Sequence, residues 1–185
     1  MDDQLIIKKF QERSESAIQA LSDKYGKLCH TLAKRILNNE QDAEECVNDA
    51  LLAVWNAIPP AKPDPLSAYL CGITRNISLM KYHANTAKKR NHYYDLVLDE
   101  LADSLPGNTL VEDEILAKEL GRAINDFLSE LGEFDRVLFV RRYWFLDSVA
   151  EIADLVGKNK NYVTVHLYRS RKKLEYYLKT KKLIG

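Results

Sequence analysis

The segment from Ser148 to Leu174 constrains the fold of this chain more than any other, because it specifies two helices and the turn between them. The run from Ser148 to Glu151 is a full capping box, which predicts a helix that begins at Val149. Gly157 follows where a helix C-terminus favours a left-handed residue. Asn159 can then cap a second, longer helix. A short helix, a glycine-containing turn and a longer helix predict a helix-turn-helix.

The second of these helices has two chemically different faces. Val163, Leu167 and Leu174 share one face, which we predict to be buried. The opposite face collects side chains that can reach base edges and phosphates in a major groove: Lys160, Asn161, Thr164, Val165, Tyr168, Arg169 and Lys172. A plain helical hairpin with a solvated polar face is the alternative, but the caps, the turn and the one-sided basic face together favour DNA binding.

The charges are divided along the chain although their sum is zero, with 27 basic and 27 acidic residues. The last 28 residues carry nine Lys or Arg and one Glu, whereas residues 95–118 carry one basic and seven acidic residues. A basic C-terminal end suits a polyanionic partner such as nucleic acid, and a solvated lysine-rich helix end is the equally simple alternative.

The first half of the chain has a helical pattern interrupted by prolines. Residues 4–37 predict one or two helices. Asp42 and Glu45 resemble a capping box, and apolar residues at three- and four-residue spacing follow to Ile58. Four of the five prolines fall in residues 59–65, which predicts a stiff loop. The helix after it should bury Leu66, Leu70, Ile73, Ile77 and Met80.

The second half begins after an acidic stretch with a Pro106-Gly107 break. We therefore predict an all-α fold of two small helical domains, residues 1–94 and 114–185, joined by a flexible acidic linker over residues 95–113. Beyond the linker, apolar spacing predicts helices from about residue 112 and over residues 133–145, ahead of the helix-turn-helix. Neither strand-like alternation nor an internal repeat is visible.

Several classes of function are disfavoured by the sequence. The three cysteines are too scattered for a disulfide framework or a metal-binding pair, and we expect free buried thiols. No apolar run is long enough to cross a membrane and the N-terminus does not resemble a signal peptide, so we expect a cytoplasmic protein. The four histidines are dispersed and no phosphate-binding glycine loop is present, so we expect neither an enzyme nor a bound cofactor or metal.

Three segments in order along the chain resemble the extracytoplasmic-function (ECF) group of sigma-70 factors. EIADLVGKNKNYVTVHLYRSRKKL (151–174) resembles region 4.2 of that group, DAEECVNDALLAVW (42–55) region 2.2, and LSAYLCGITRNISLMKYHANTAKKR (66–90) regions 2.3 and 2.4. The chain departs from the usual pattern at Tyr69 and Met80. The resemblance implies a sigma factor of the minimal two-domain type that takes RNA polymerase core to promoter DNA.

For the first domain, the resemblance implies a surface that binds the clamp helices of the largest polymerase subunit: Asp42, Glu45, Asn48, Asp49 and Asn56. It also implies residues that open and read the −10 promoter element: Pro63, Ser67, Arg75, Asn76, Lys81 and Tyr82. The run Lys88-Lys89-Arg90 would follow the strand backbone by charge.

For the second domain, the resemblance implies binding to the −35 promoter element by the polar face of the recognition helix, together with Arg142 from the preceding helix. This domain would also pack on the flap of the second-largest polymerase subunit. The acidic linker would follow the RNA exit path, although a solvated tether has the same composition. An anti-sigma factor is a further partner that is common in this family.

Two other classes of function compete with this interpretation. A stand-alone helix-turn-helix regulator would bind operators as a dimer, and it would need a dimerisation or ligand domain in place of residues 1–94. An adaptor that binds polymerase without reading DNA is disfavoured by the one-sided basic helix near the C-terminus.

Overall fold

A computed structural model describes residues 2–85, 92–103 and 114–184 of the chain. Every regular element in these residues is a helix, as predicted, and strands are absent from them. The chain divides into two compact units, residues 1–94 and 95–185. Within the described residues, no helix is long and apolar enough to cross a membrane. The predicted backbone-tracking run Lys88-Lys89-Arg90 lies outside the described residues.

Unit 1 is a bundle of four helices: α1 (Asp3–Gln11), α2 (Ser16–Leu37), α3 (Glu40–Ala57) and α4 (Leu66–Ala84). The predicted helical segment over residues 4–37 is therefore two helices. Helices α2, α3 and α4 pack against one another, and their core includes Leu21, Leu32, Ile36 and Val54. The proline-rich loop after α3 leads directly into α4.

Helix α3 begins three residues before the position that the capping-box pair predicts. Its N-cap is Asn39, whose side-chain oxygen accepts a hydrogen bond from the backbone N–H of Asp42 at 2.9 Å. The pair Asp42 and Glu45 therefore does not form the capping box that the sequence suggested. Asn39 is the N-cap of α3 because it takes the extended backbone conformation that an N-cap requires.

Helix α4 buries a different face from the one predicted. Its buried residues are Leu66, Leu70, Cys71, Thr74, Arg75, Ser78 and Tyr82. Ile73 and Ile77 are half-buried, and the side chain of Met80 is 73% exposed. The small hydroxyl groups can enter the core because each bonds its own helix: Thr74 donates to the Leu70 carbonyl at 2.9 Å and Ser78 to the Thr74 carbonyl at 2.8 Å.

Part of the predicted linker is a helix. Helix α5 (His92–Ala102) extends across residue 94, where the two compact units meet along the sequence. The prediction of a flexible linker is therefore wrong for residues 95–102. Composition alone marks this acidic segment as a tether, but hydrogen bonds and ion pairs to distant residues hold it in place. Residues 104–113 of that prediction lie outside the described residues.

The rest of unit 2 consists of α6 (Glu114–Glu130), α7 (Glu133–Tyr143), α8 (Val149–Val156) and α9 (Lys160–Thr180). Helix α9 packs against α6, α7 and α8. Their shared core includes Phe127, Leu138, Ile152, Val163 and Leu167. The long α9 is thus held along one side by three helices.

Candidate nucleic-acid interface

The turn between α8 and α9 has the predicted construction. The Ser148 hydroxyl accepts from the Glu151 N–H at 3.2 Å, and the Glu151 carboxylate accepts from the Ser148 N–H at 2.7 Å. Gly157 has a φ of +64° and ends α8. Asn159 accepts from the Tyr162 N–H at 2.8 Å and starts α9. These local bonds fix where the exposed face of α9 begins.

The predicted recognition face of α9 is on the surface. All seven of its side chains are exposed: Lys160, Asn161, Thr164, Val165, Tyr168, Arg169 and Lys172. Val163, Leu167 and Leu174 are buried on the other side, as predicted. This face therefore carries positive charge, an amide, hydroxyl groups and two methyl-bearing side chains on one rigid helix.

The partners within this face differ from one residue to another. Lys172 forms an ion pair with Glu175 at 2.8 Å, and the Thr164 hydroxyl donates to the Lys160 carbonyl at 2.9 Å. Among the described residues, the Arg169 guanidinium has neither an ion-pair nor a hydrogen-bond partner. The donors of Arg169 are therefore available to a ligand.

An aromatic and polar cluster fixes the N-terminal half of α9 against α7. The Nδ1 atom of His166 lies 2.6 Å from the Asp135 carboxylate. The ring of His166 lies 4.4 Å from that of Tyr162 and 5.4 Å from that of Phe134, between centroids. The cluster gives the recognition face a fixed orientation on its unit, which specific readout of a groove needs.

Arg142 is not on this exposed face. Its guanidinium donates to the Glu100 carboxylate at 2.6 and 3.1 Å and to the Asp147 carbonyl at 3.0 Å. Its side chain is only 11% exposed. The predicted direct contact of Arg142 with DNA therefore does not fit this conformation, because a carboxylate within unit 2 takes its donors.

Two further residues, neither of them among the predicted site residues, surround the same carboxylate. Arg171 donates to Glu100 and, at 2.7 Å, to the Tyr143 hydroxyl, which itself donates to Glu100 at 2.9 Å. Burial raises the pKa of Tyr143, so its hydroxyl stays protonated as a donor. In the sequence, Arg171 falls beside the predicted recognition face rather than on it, and this position is the only signal that it has a different role.

In unit 1, the predicted polymerase-binding residues follow one side of α3. Glu45, Asn48, Asp49 and Asn56 are exposed, whereas Asp42 is half-buried. Leu52 lies among them and is 55% exposed. Leu52 is not among the predicted residues, although a leucine at a polar-face position of an amphipathic helix is a signal for an exposed contact.

The predicted −10 residues of unit 1 do not form one surface. Asn76 is exposed, and Pro63 and Ser67 are half-buried close to the start of α4. Arg75 is 8% exposed and Tyr82 is 3% exposed. Both predictions of direct DNA contact are corrected by this burial, because neither side chain presents itself to solvent.

The burial of Arg75 and Tyr82 has visible consequences. The Tyr82 ring packs edge-on against the Tyr94 ring, with centroids 4.9 Å apart. Burial lowers the pKa of Arg75, and the charge interaction with Tyr94 partly opposes that shift. These two side chains therefore contribute to the interior of unit 1.

Lys81 joins two surfaces that were predicted as separate. Its Nζ atom lies 2.6 Å from the Glu45 carboxylate and 3.1 Å from that of Asp42. Burial works against the charge of Lys81, but the hydrogen bonds to Glu45 and Asp42 outweigh it and its pKa is raised. A predicted DNA contact is thus bonded to two predicted polymerase contacts.

Potential metal ligands and thiols have ordinary roles in unit 1. His30, Glu40 and Glu44 lie close enough to share an ion, but Glu40 is already paired with Lys34 at 2.6 Å and with His30 at 3.0 Å. Cys29, Cys46 and Cys71 are free and buried, as predicted.

Comparison with known proteins identifies the class of unit 1. Residues 21–87 match the family model for sigma-70 region 2. This range includes α3, the proline-rich loop and α4. The predicted resemblance to sigma-70 factors is confirmed over these residues. Sigma factors are a non-enzymatic class of transcription proteins, which act with RNA polymerase at promoter DNA.

Two more results complete the comparisons. A solved structure entitled "Structure of CnrH in complex with the cytosolic domain of CnrY" is 21% identical to this chain, covers 96% of it and 97% of the solved chain, and has a TM-score of 0.45. No curated protein matches the sequence. The all-helical fold of the described residues agrees with the fold class predicted from the sequence.

Proposed function

We propose that this protein directs RNA polymerase core to promoters by binding the −35 element with unit 2 and opening the −10 element with unit 1. The observation that carries the proposal is the seven-residue exposed face of α9, in a chain whose other unit matches sigma-70 region 2. One helix-turn-helix alone occurs in many regulators. Its combination with a region 2 domain is far more specific.

The chemistry of α9 supports binding in a major groove. Arg169 can donate two hydrogen bonds to guanine, and Asn161 can pair with adenine. Thr164 and Val165 place methyl groups on the exposed face, which suits contact with thymine methyls. Lys160 and Lys172 add attraction to phosphates that carries no sequence information. Lys160 is close to the amide groups of the α9 N-terminus, which also favour an anion.

For the −10 element, the corrected set of candidates is Pro63, Ser67 and Asn76. The prolines between residues 59 and 65 restrict the backbone of the loop at little entropic cost on folding. A rigid loop is suited to hold a base that has left the stack. Asn76 supplies exposed amide groups on the helix that follows. Lys81 joins them only if it leaves its two carboxylate partners.

For polymerase core, the candidate surface is the exposed side of α3. Glu45, Asn48, Asp49 and Asn56 surround Leu52, so the surface has a polar rim and an apolar centre. A clamp helix of the largest subunit with basic and apolar residues is the complementary partner. Contact of unit 2 with the polymerase flap, and control by an anti-sigma factor, remain predictions from the family.

Promoter opening in the presence and absence of polymerase core tests this proposal against a stand-alone regulator. The purified chain alone should bind promoter duplexes weakly and lose that binding as salt is raised. With core enzyme it should make thymines around the −10 element reactive to permanganate. Tight binding of the chain alone to a palindromic operator, without any dependence on core, would contradict the proposal.

A matched pair of variants tests the α3 surface in the same assay. Leu52 and Leu5 are each 55% exposed in unit 1. Leu52→Asp should weaken binding of the chain to core and reduce open complexes, whereas Leu5→Asp should leave both unchanged. Equal losses from the two variants would assign the effect to altered solubility or folding rather than to the α3 surface.

A further inference from the structure

We propose that Arg142, Tyr143 and Arg171 form a binding site for one backbone phosphate of promoter DNA, and that Glu100 occupies this site in the free protein. The inference rests on the proposed function of unit 2. It concerns how that function is regulated. Glu100 is then an internal competitor for the anion site, and DNA binding requires its release.

The geometry around Glu100 is that of an anion site. Its Oε2 atom accepts from Arg142 Nε and Nη2, at 3.1 and 2.6 Å. Its Oε1 atom accepts from Arg171 Nη1 and from the Tyr143 hydroxyl. Two guanidinium groups and one phenol thus converge on two oxygens. A phosphodiester also presents two free oxygens, which arginine recognises by paired hydrogen bonds.

Charge and access also suit a phosphate. The four side chains together hold two positive charges and one negative charge. The Arg142 and Arg171 side chains are 11% and 12% exposed, and that of Glu100 is 27% exposed. Partial burial strengthens the ion pairs, while the exposure of Glu100 lets solvent and a competing anion reach the carboxylate.

The site lies next to the proposed recognition face. The Arg171 guanidinium is 5.9 Å from the centre of the Tyr168 ring, and Tyr168 is a 53% exposed member of that face. A duplex seated on the face therefore brings its backbone close to Arg171. This location explains how Arg142 can serve DNA binding although Glu100 holds it in the free protein.

A pair of isosteric substitutions on α5 tests the competition. Glu100→Gln removes the negative charge in the site, and Asp99→Asn removes the same charge from the exposed neighbouring residue. The affinity of each full-length variant for a fluorescent −35 duplex is measured by anisotropy. Glu100→Gln should raise affinity about five-fold or more relative to Asp99→Asn, the lower end of the range for coupled sites.

Two outcomes of the same affinity measurement would overturn the inference. If Glu100→Gln and Asp99→Asn change affinity equally, Glu100 adds only general repulsion of DNA. If Glu100→Gln binds less tightly than Asp99→Asn, the carboxylate supports the binding-competent structure. Either result removes the competition.

Hydrogen exchange on the unaltered protein gives a test that needs no variant. Saturating −35 duplex should speed exchange of the α5 amides around Glu100 while slowing that of the α9 N-terminus. Unchanged α5 exchange would overturn the inference even if α9 is protected. If no form of the chain binds the duplex or forms open complexes with core enzyme, the proposed function itself fails.

Discussion

Helices α4 and α9 place their polar side chains in opposite environments. On α9, the basic, amide and hydroxyl groups of the recognition face are at the surface, and the buried side is mostly aliphatic. On α4, Thr74, Arg75 and Ser78 are in the interior, and Met80 is at the surface. A polar residue on a helix can therefore be buried where a hydrogen-bond partner is available to it.

The interior next to α4 offers such partners because its residues are small. The pKa of the Cys29 thiol is lowered, chiefly by a hydrogen bond with Cys71 and also by one with Thr74, while burial opposes the shift. Cys46 bonds Ser78 in the same way, although burial raises its pKa. Thiols and hydroxyls thus form a layer between α2, α3 and α4 that is polar but paired.

The two helices each carry a tyrosine that makes this comparison testable. Tyr82→Ala on α4 should lower the free energy of unfolding of unit 1 by about 3 kcal/mol or more, because it deletes a fully packed aromatic ring. Tyr168→Ala on α9 should leave the stability of unit 2 within about 0.5 kcal/mol, because its ring is half exposed. The second variant should instead weaken DNA binding.

The two tryptophans allow each unit to be followed separately. Trp55 belongs to unit 1 and Trp144 to unit 2, so Trp144→Phe and Trp55→Phe backgrounds give one fluorescent reporter each for urea unfolding. Tyr82→Phe is the control, since it keeps the ring. A Tyr82→Ala protein of normal stability that fails to open promoters would return Tyr82 to the DNA surface and break the comparison.

The sequence predicts α8 and α9 well because their signals are local. Ser148, Gly157 and Asn159 act within four residues of themselves, so they mark the helix ends without knowledge of the rest of the fold. The face of α9 follows from the spacing of its aliphatic residues. Its capacity to read a particular promoter sequence remains a prediction.

The buried face of α4 and the helix α5 could not be predicted in the same way. Counting apolar residues favours Ile73, Ile77 and Met80, whereas the core takes Thr74 and Ser78, which bond carbonyls of α4 itself. In α5, Glu100 is bound by residues 42 to 71 positions away. Such long-range pairing leaves no signal in the local sequence pattern. From the sequence alone, the acidic helix α5 is therefore predicted as a flexible linker.

A second prediction concerns the specific contact expected on α9. Arg169→Ala should weaken binding to a −35 duplex by about 1–3 kcal/mol, the scale of one bidentate base contact. Since Arg169 has no partner among the described residues, the stability of unit 2 should hardly change. Anisotropy titrations on cognate and scrambled duplexes measure the effect. An equal loss on both would make Arg169 a phosphate contact and remove it from base readout.

The smallest change in stability that we expect concerns the residues that end a helix in each unit. Asn38 ends α2 and Gly157 ends α8, and both have left-handed backbones, with φ of 50° and 64°. An alanine in this conformation costs about 1–2 kcal/mol, and asparagine tolerates it better. Gly157→Ala should therefore destabilise unit 2 by about 1 kcal/mol, and no steric clash adds to this, because a Cβ there meets no atom within 4 Å.

The matched variants separate backbone strain from loss of a side chain. Asn38→Ala should cost unit 1 less than Gly157→Ala costs unit 2, because Asn38 already carries a Cβ. Gly157→Asn should recover part of the loss, since the same chain already accepts asparagine in this conformation at position 38. The single-tryptophan backgrounds report each unit in urea. If Gly157→Asn and Gly157→Ala were equally destabilised, the turn of the helix-turn-helix would need glycine for a reason other than its φ angle.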